Sequence, residues 1–153
     1  MTAATLVASA LATMVMLGAC GTEEPSSLSV SEVTAYAPLP SQPAGVAYLS
    51  LQNSMPTAVT LRRVSSPEFA SVEMHTTLMD TGIARMTQLD LLTVAGHSVV
   101  VFAPGGPHLM LMEPVEGLEL GDEVTLEFHY EYEGDVNSTG PGLLTVRTPL
   151  VSR

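Results

Sequence analysis

The sequence predicts an all-β, antiparallel β-sandwich in a single domain, immunoglobulin-like in its pattern of short strands. Three observations carry this. Short runs that are β-branched, or that alternate apolar with polar residues, recur along the chain. Clusters of Pro, Gly, Asn, Asp and Ser separate them at the spacing of an all-β fold. No stretch carries a helical apolar stripe over three turns.

In chain order, the extended segments are SVSEVTAY (29–36), VAYLSLQN (46–53), AVTLRRVS (58–65), SVEMHTTL (71–78), IARMTQLDLL (83–92), HSVVVF (97–102) and EVTLEFHYEY (123–132). The stretch HLMLM (108–112) follows a Pro-Gly-Gly-Pro turn, and GLLTVRTPLV near the end reads as one more strand. PLPSQPAG, NSMPT, SSPE, MDTG, AGH, APGGP, EGLELGD and EGD are the turns between them. DVNSTGPG (135–142) reads as a loop, in which Asn137-Ser138-Thr139 matches a glycosylation sequon.

The 153 residues suffice for one domain with a real core. Trp is absent and aromatics are few, so Val, Leu, Ala and Met must fill that core. There are 16 acidic residues against 5 basic ones, all Arg. The net charge of -11 argues against nucleic acid and anionic lipid surfaces as electrostatic partners.

The single cysteine, Cys20, excludes an internal disulfide and a CxxC redox motif. It ends the uncharged stretch MTAATLVASALATMVMLGAC, which reads as the apolar region of a signal peptide (1–19). Leu17-Gly18-Ala19-Cys20 resembles the bacterial lipobox, in which the Cys is lipidated and becomes the first mature residue. The expected organisation is therefore a signal peptide at 1–19, a lipidated Cys20 with a polar tether over 20–29, and the folded domain at 30–153. The expected location is the bacterial cell envelope, with the domain lipid-anchored to a membrane on its extracytoplasmic side.

The candidate functional residues are two pairs of His and Met. In a strand, residues two apart share a face, so His108 and Met110 project together while Leu109 turns to the core. A hairpin centred on Asp80-Thr81 would set His75 directly opposite Met86, with Cβ atoms ~5 Å apart. Brought together, the pairs offer two imidazoles and two thioethers. Thioethers are soft and neutral, so this donor set favours Cu(I) over Mg²⁺, Ca²⁺ or Zn²⁺, and without a thiolate it is no blue-copper centre. Ion exchange requires an accessible site, which places these residues at one end of the sandwich on two hairpin edges. Taken singly, each of the four reads more simply as a surface His or a core-filling Met. Their joint spacing is what shifts the balance.

His75, Met86, His108 and Met110 stand in the pattern H-x10-M-x21-H-x-M. That pattern resembles the signature of the periplasmic copper chaperones called PCu(A)C. VEMHTTLMDTGIARM and APGGPHLMLM are similar to that family's two signature segments, and the resemblance spans about residues 30 to 130. It implies a cupredoxin-like β-sandwich holding one Cu(I) per chain through His75, Met86, His108 and Met110. It also implies delivery of copper to the dinuclear centre in subunit II of cytochrome c oxidase, with Sco-type thiol proteins as partners. Many members carry a His/Met-rich C-terminal tail that binds Cu(II), whereas RTPLVSR has neither residue. A lipid anchor would also set this chain apart from plain periplasmic members.

Other residues weigh less. Met74 alternates away from His75 toward the core, and Met112 shares the face of His108 and Met110 as a candidate rim thioether. His97 and His129 read as surface histidines. Asp80-Thr81-Gly82 spells the aspartic-protease triplet, yet it fits a hairpin turn better, and no second carboxylate partner is evident. The expectation is a carrier, not an enzyme. The alternatives are a copper buffer for resistance and a structural β-sandwich lipoprotein in which these side chains only pack.

Overall fold

The computed structural model describes residues 28–40, 42–132 and 141–153. Residues 1–27, including the proposed signal peptide and Cys20, lie outside the described residues, as does Asn137. Ten strands follow one another: β1 Leu28–Tyr36, β2 Ala44–Asn53, β3 Val59–Ser65, β4 Phe69–Asp80, β5 Ile83–Gln88, β6 Leu92–Val94, β7 Ser98–Phe102, β8 Pro107–Pro114, β9 Glu123–Tyr132 and β10 Pro141–Val151. The expected all-β single domain is present. Its sheet runs in the order β4-β8-β2-β1-β10-β9-β3, and β3 returns to β4 through the pair Val64 and Val72, closing a barrel.

The structure refines four sequence expectations. The run 83–92 is two strands, β5 and β6, interrupted at Leu89–Leu91 around Asp90. Here Leu89 N–H donates instead to the Met74 carbonyl, at 2.8 Å. The β1–β10 pairing is parallel, joining Ala35 to Leu150 and Tyr36 to Val151, so the sheet is not wholly antiparallel. Leu28 is only 1% exposed, which places it and Ser29 in the fold and not in the tether.

The fourth correction is one of register. His75 pairs with Gln88, and Met86 pairs with Thr77. The hairpin loop is Thr81-Gly82, closed by Asp80 and Ile83, one residue later than Asp80-Thr81. The physical reason is turn chemistry. A two-residue loop of the tight hairpin type needs positive φ at both central positions. Thr81 has φ 48° and Gly82 φ 83°, so the glycine takes the second of them. Moving the centre by one shifts each partner by two, which preserves the face. Met86 is therefore a diagonal neighbour of His75 on the same face, not its direct opposite.

Alternation explains the interior. Leu109 and Leu111 of β8 turn inward against Ala47, Leu49 and Leu51 of β2, Met74 of β4, and Leu126 and Phe128 of β9. Each fully buried aliphatic or aromatic side chain contributes ~1.5–3 kcal/mol of hydrophobic stabilisation. The opposite alternation leaves His108, Met110 and Met112 on the outer face of β8.

β7 and β8 run end to end along β2. Phe102 pairs with Leu49 and Leu109 with Ala47, so along β2 the six residues 103–108 are accommodated opposite Tyr48 alone. Pro104-Gly105-Gly106 forms this excursion, with Gly105 at φ 83° and Gly106 N–H bonded to the Ala103 carbonyl at 3.0 Å. The chain re-enters the sheet at Pro107 and His108, now paired with Thr76 and His75 of β4.

Candidate metal centre

β4 and β8 are antiparallel neighbours whose register sets His75 directly against His108. Their ring centroids are 6.0 Å apart with the planes inclined at 43°. That separation leaves room for one ion bonded at roughly 2 Å to a nitrogen of each ring. Met110 lies two residues beyond His108 on the same outer face, between Glu73 of β4 and Val46 of β2.

A recess of about 320 Å³ opens beside this pair, and Met86, His108 and Met110 all line it. The bulge supplies Pro104 and Gly105 as one wall, β2 supplies Val46 and Tyr48, and Thr77 completes the β4 side. The structure thus brings three of the four sequence-predicted residues into one recess and sets the fourth, His75, against one of them. Their exposure differs sharply. His108 is 6% exposed, while Met86, on the peripheral strand β5, is 56% exposed.

The placement also corrects one expectation. The residues do not lie on two hairpin edges. His75 and Met86 belong to the β4–β5 hairpin, but His108 and Met110 sit on β8, an interior strand flanked by β4 and β2. Met112 is half-buried between Ala44 and Ser71 and does not line the recess. Met74 is buried in the core. His97 is exposed in a turn at φ 51°. His129 lies on the outer face of β9 near Ser65 Oγ, at 2.9 Å, and Arg63.

The hydrogen bonds decide what each ring can offer. His108 Nδ1 is 2.9 Å from the Gly106 carbonyl and donates to it, which leaves Nε2 as its lone pair. His75 Nε2 is 2.9 Å from Glu73 Oε2, and its Nδ1 is buried without a partner. Buried polar atoms nearly always find partners, so the His75 Nδ1 beside a second imidazole is open to a water or an ion. The sequence reading that Gly105-Gly106 aims His108 did not foresee the Gly106 carbonyl as the acceptor that holds the ring, and it missed Glu73. The Glu73 signal was readable, since Glu73 and His75 share a strand face by the same alternation that paired His108 with Met110.

Among the described residues, no group of three or more His, Cys, Asp or Glu could hold a metal ion. A cluster of three or more nitrogen, thiolate or carboxylate ligands of the zinc or calcium kind is therefore not assembled among them. What the recess gathers is one imidazole and two soft thioethers, with the His75 ring set against the first imidazole.

Fold and site together define a closed all-β domain with a recess on its outer face lined in part by Met86, His108 and Met110. The family model described as "Putative lipoprotein LpqE-like" matches residues 28–141, and the chain belongs to this LpqE-like family. Uncharacterized protein RP573 of Rickettsia prowazekii (strain Madrid E) is 32% identical over 85 residues, covering 55% of this chain and 47% of that protein. The chain thus spans about half the length of the curated relative it matches.

Among solved structures, the copper-bound PCuAC domain from PmoF2 superposes with a TM-score of 0.64 at 20% identity, covering 84% of this chain and 95% of that one. The CuI-DR1885 solution structure from Deinococcus radiodurans gives 0.56 at 24% identity, over 80% and 76% of the two chains. At these identities the likeness shows a shared fold, that of PCuAC domains.

Proposed function

We propose that this protein is a copper(I) carrier of the bacterial cell envelope. It takes one Cu(I) as cargo through His75, Met86, His108 and Met110 and passes it on by ligand exchange. The observation that carries this reading is the pairing of His75 with His108 beside a recess lined by Met86 and Met110. The copper in the names of two structural neighbours supports it. Four neutral donors leave the ion its single positive charge, which is inexpensive to hold at a partly open site.

No bond of a substrate is made or broken in this role. An incoming thiolate is a stronger donor to Cu(I) than a thioether. Met86, the most exposed of the four, is the donor it displaces first. Donors on β8 then hold the ion until transfer is complete. The proposed acceptor is a thiol protein of the Sco type or the dinuclear copper centre in subunit II of cytochrome c oxidase. The family description supports an exported protein, and a lipid on Cys20 would confine the carrier to a membrane surface.

Anaerobic titration with Cu(I) against a competing chelator tests the reading. A tight 1:1 complex that Met110→Leu weakens supports it. Failure to compete for copper returns the protein to a structural role. Deletion of the gene separates delivery from buffering: an oxidase defect reversed by added copper marks delivery, and copper sensitivity with intact oxidase marks buffering.

A further inference from the structure

Each histidine of the pair has one ring nitrogen already engaged. We infer that the two imidazoles bind the ion through different nitrogens, His75 through Nδ1 and His108 through Nε2, and that Glu73 is the positioning residue that imposes the choice on His75. The inference rests on the copper-carrier reading and deepens it.

Glu73 stands two residues before His75 on β4, so both side chains leave the same face of the sheet. Its Oε2 lies 2.9 Å from His75 Nε2. An ionised carboxylate only accepts, so Nε2 carries the proton and Nδ1 carries the lone pair. That Nδ1 is buried and lacks a hydrogen-bond partner, the one such side-chain nitrogen or oxygen found among the described residues. It belongs to the ring facing His108.

On the other strand the arrangement is reversed. His108 Nδ1 donates to the Gly106 carbonyl at 2.9 Å, so Nε2 is the free donor atom. Thr77 N–H also donates to this carbonyl, at 3.3 Å, which ties the bulge to β4 and fixes the acceptor. One ring is thus held by a side-chain carboxylate and the other by the backbone of the bulge. Outer contacts of this kind set the tautomer, orient the ring and raise its basicity. The carboxylate also sets a negative charge beside the cationic site, which the backbone carbonyl does not.

The test uses the full ¹⁵N-labelled chain carrying Cys20→Ser, so that no thiol competes for metal. Without metal, imidazole ¹H–¹⁵N spectra should show the Nε2–H tautomer at His75 and the Nδ1–H tautomer at His108. Ag(I), a soft monovalent ion with spin-½ nuclei, should then split the ¹⁵N signals of His75 Nδ1 and His108 Nε2. Glu73→Ala should scramble the His75 tautomer and weaken Cu(I) binding by about 10- to 100-fold with the backbone spectrum unchanged. Glu73→Gln, which keeps an acceptor oxygen, should recover most of that loss. Silver coupling to His75 Nε2, or unaltered affinity in Glu73→Ala, overturns the inference and leaves the carrier reading standing. Absence of any coupling to either histidine, with no Cu(I) binding, sinks both.

Discussion

His75 and His108 face one another across neighbouring antiparallel strands, with their ring centroids 6.0 Å apart. Backbone pairing, and not a mobile loop, holds them there. Such a pair is preorganised, so binding spends little free energy on assembling the donors.

Removing one ring should therefore abolish tight binding while sparing the fold. His108→Ala is expected to weaken Cu(I) affinity by more than about 100-fold, beyond the range seen for outer-sphere contacts. A chelator competition measures the loss. A far-ultraviolet spectrum matching that of the parent shows that the β-barrel persists.

Met86 separates release from stability. It is 56% exposed on β5, and every residue of that strand is exposed. Met86→Leu keeps the size and removes the sulfur, so unfolding free energy should change by no more than about 0.5 kcal/mol. Copper transfer to a thiolate acceptor should accelerate, because one displacement step has been removed. Stopped-flow transfer rates and a denaturant titration read the two effects independently.

The hairpin loop positions Met86, so its glycine matters at a distance. Gly82 sits at φ 83° with open space around it, so Gly82→Ala meets no clash but must adopt left-handed backbone. A loss of about 1 kcal/mol in stability is expected. Any slip of the Thr77–Met86 register would appear as weakened Cu(I) binding, readable by the same competition assay.

Asn53 should prove costlier than any ligand to replace. It is fully buried at the end of β2, where its Nδ2 reaches the carbonyls of Thr57, Val94 and Ala95 and its Oδ1 accepts from Met55 N–H. Asn53→Leu would strand several of those groups away from water, at about 1–3 kcal/mol each where they stay unsatisfied. Thermal unfolding should show a clear drop in Tm, with the imidazole spectra of His75 and His108 unaltered in the folded protein.

Much of this arrangement is legible in the sequence because strands announce themselves locally. Alternation along 108–112 sends Leu109 inward and His108 and Met110 outward, as the structure shows. Pairings between distant segments are not local. Nothing in TVRTPLV tells that β10 lies parallel to β1, nor that Val64 meets Val72 to close the barrel. The β4–β5 register failed by two because Asp80, Thr81 and Gly82 are all turn formers, and only the φ values show which pair forms the loop. His75 and His108 were each visible as candidates, but their direct apposition depends on β8 lying beside β4, which no local pattern encodes. The role of Gly106 depends on its carbonyl, which residue type alone does not reveal.

The strand order has a temporal side. β10 pairs with β9 along nine positions from Pro141 to Pro149 and then meets β1 in parallel, so it bridges two walls that otherwise do not touch. Until that segment has been synthesised, β1 and β9 present unsatisfied edges and the cylinder cannot shut. The wall that carries the recess therefore reaches its final curvature only once residues 141–151 have docked between those two edges.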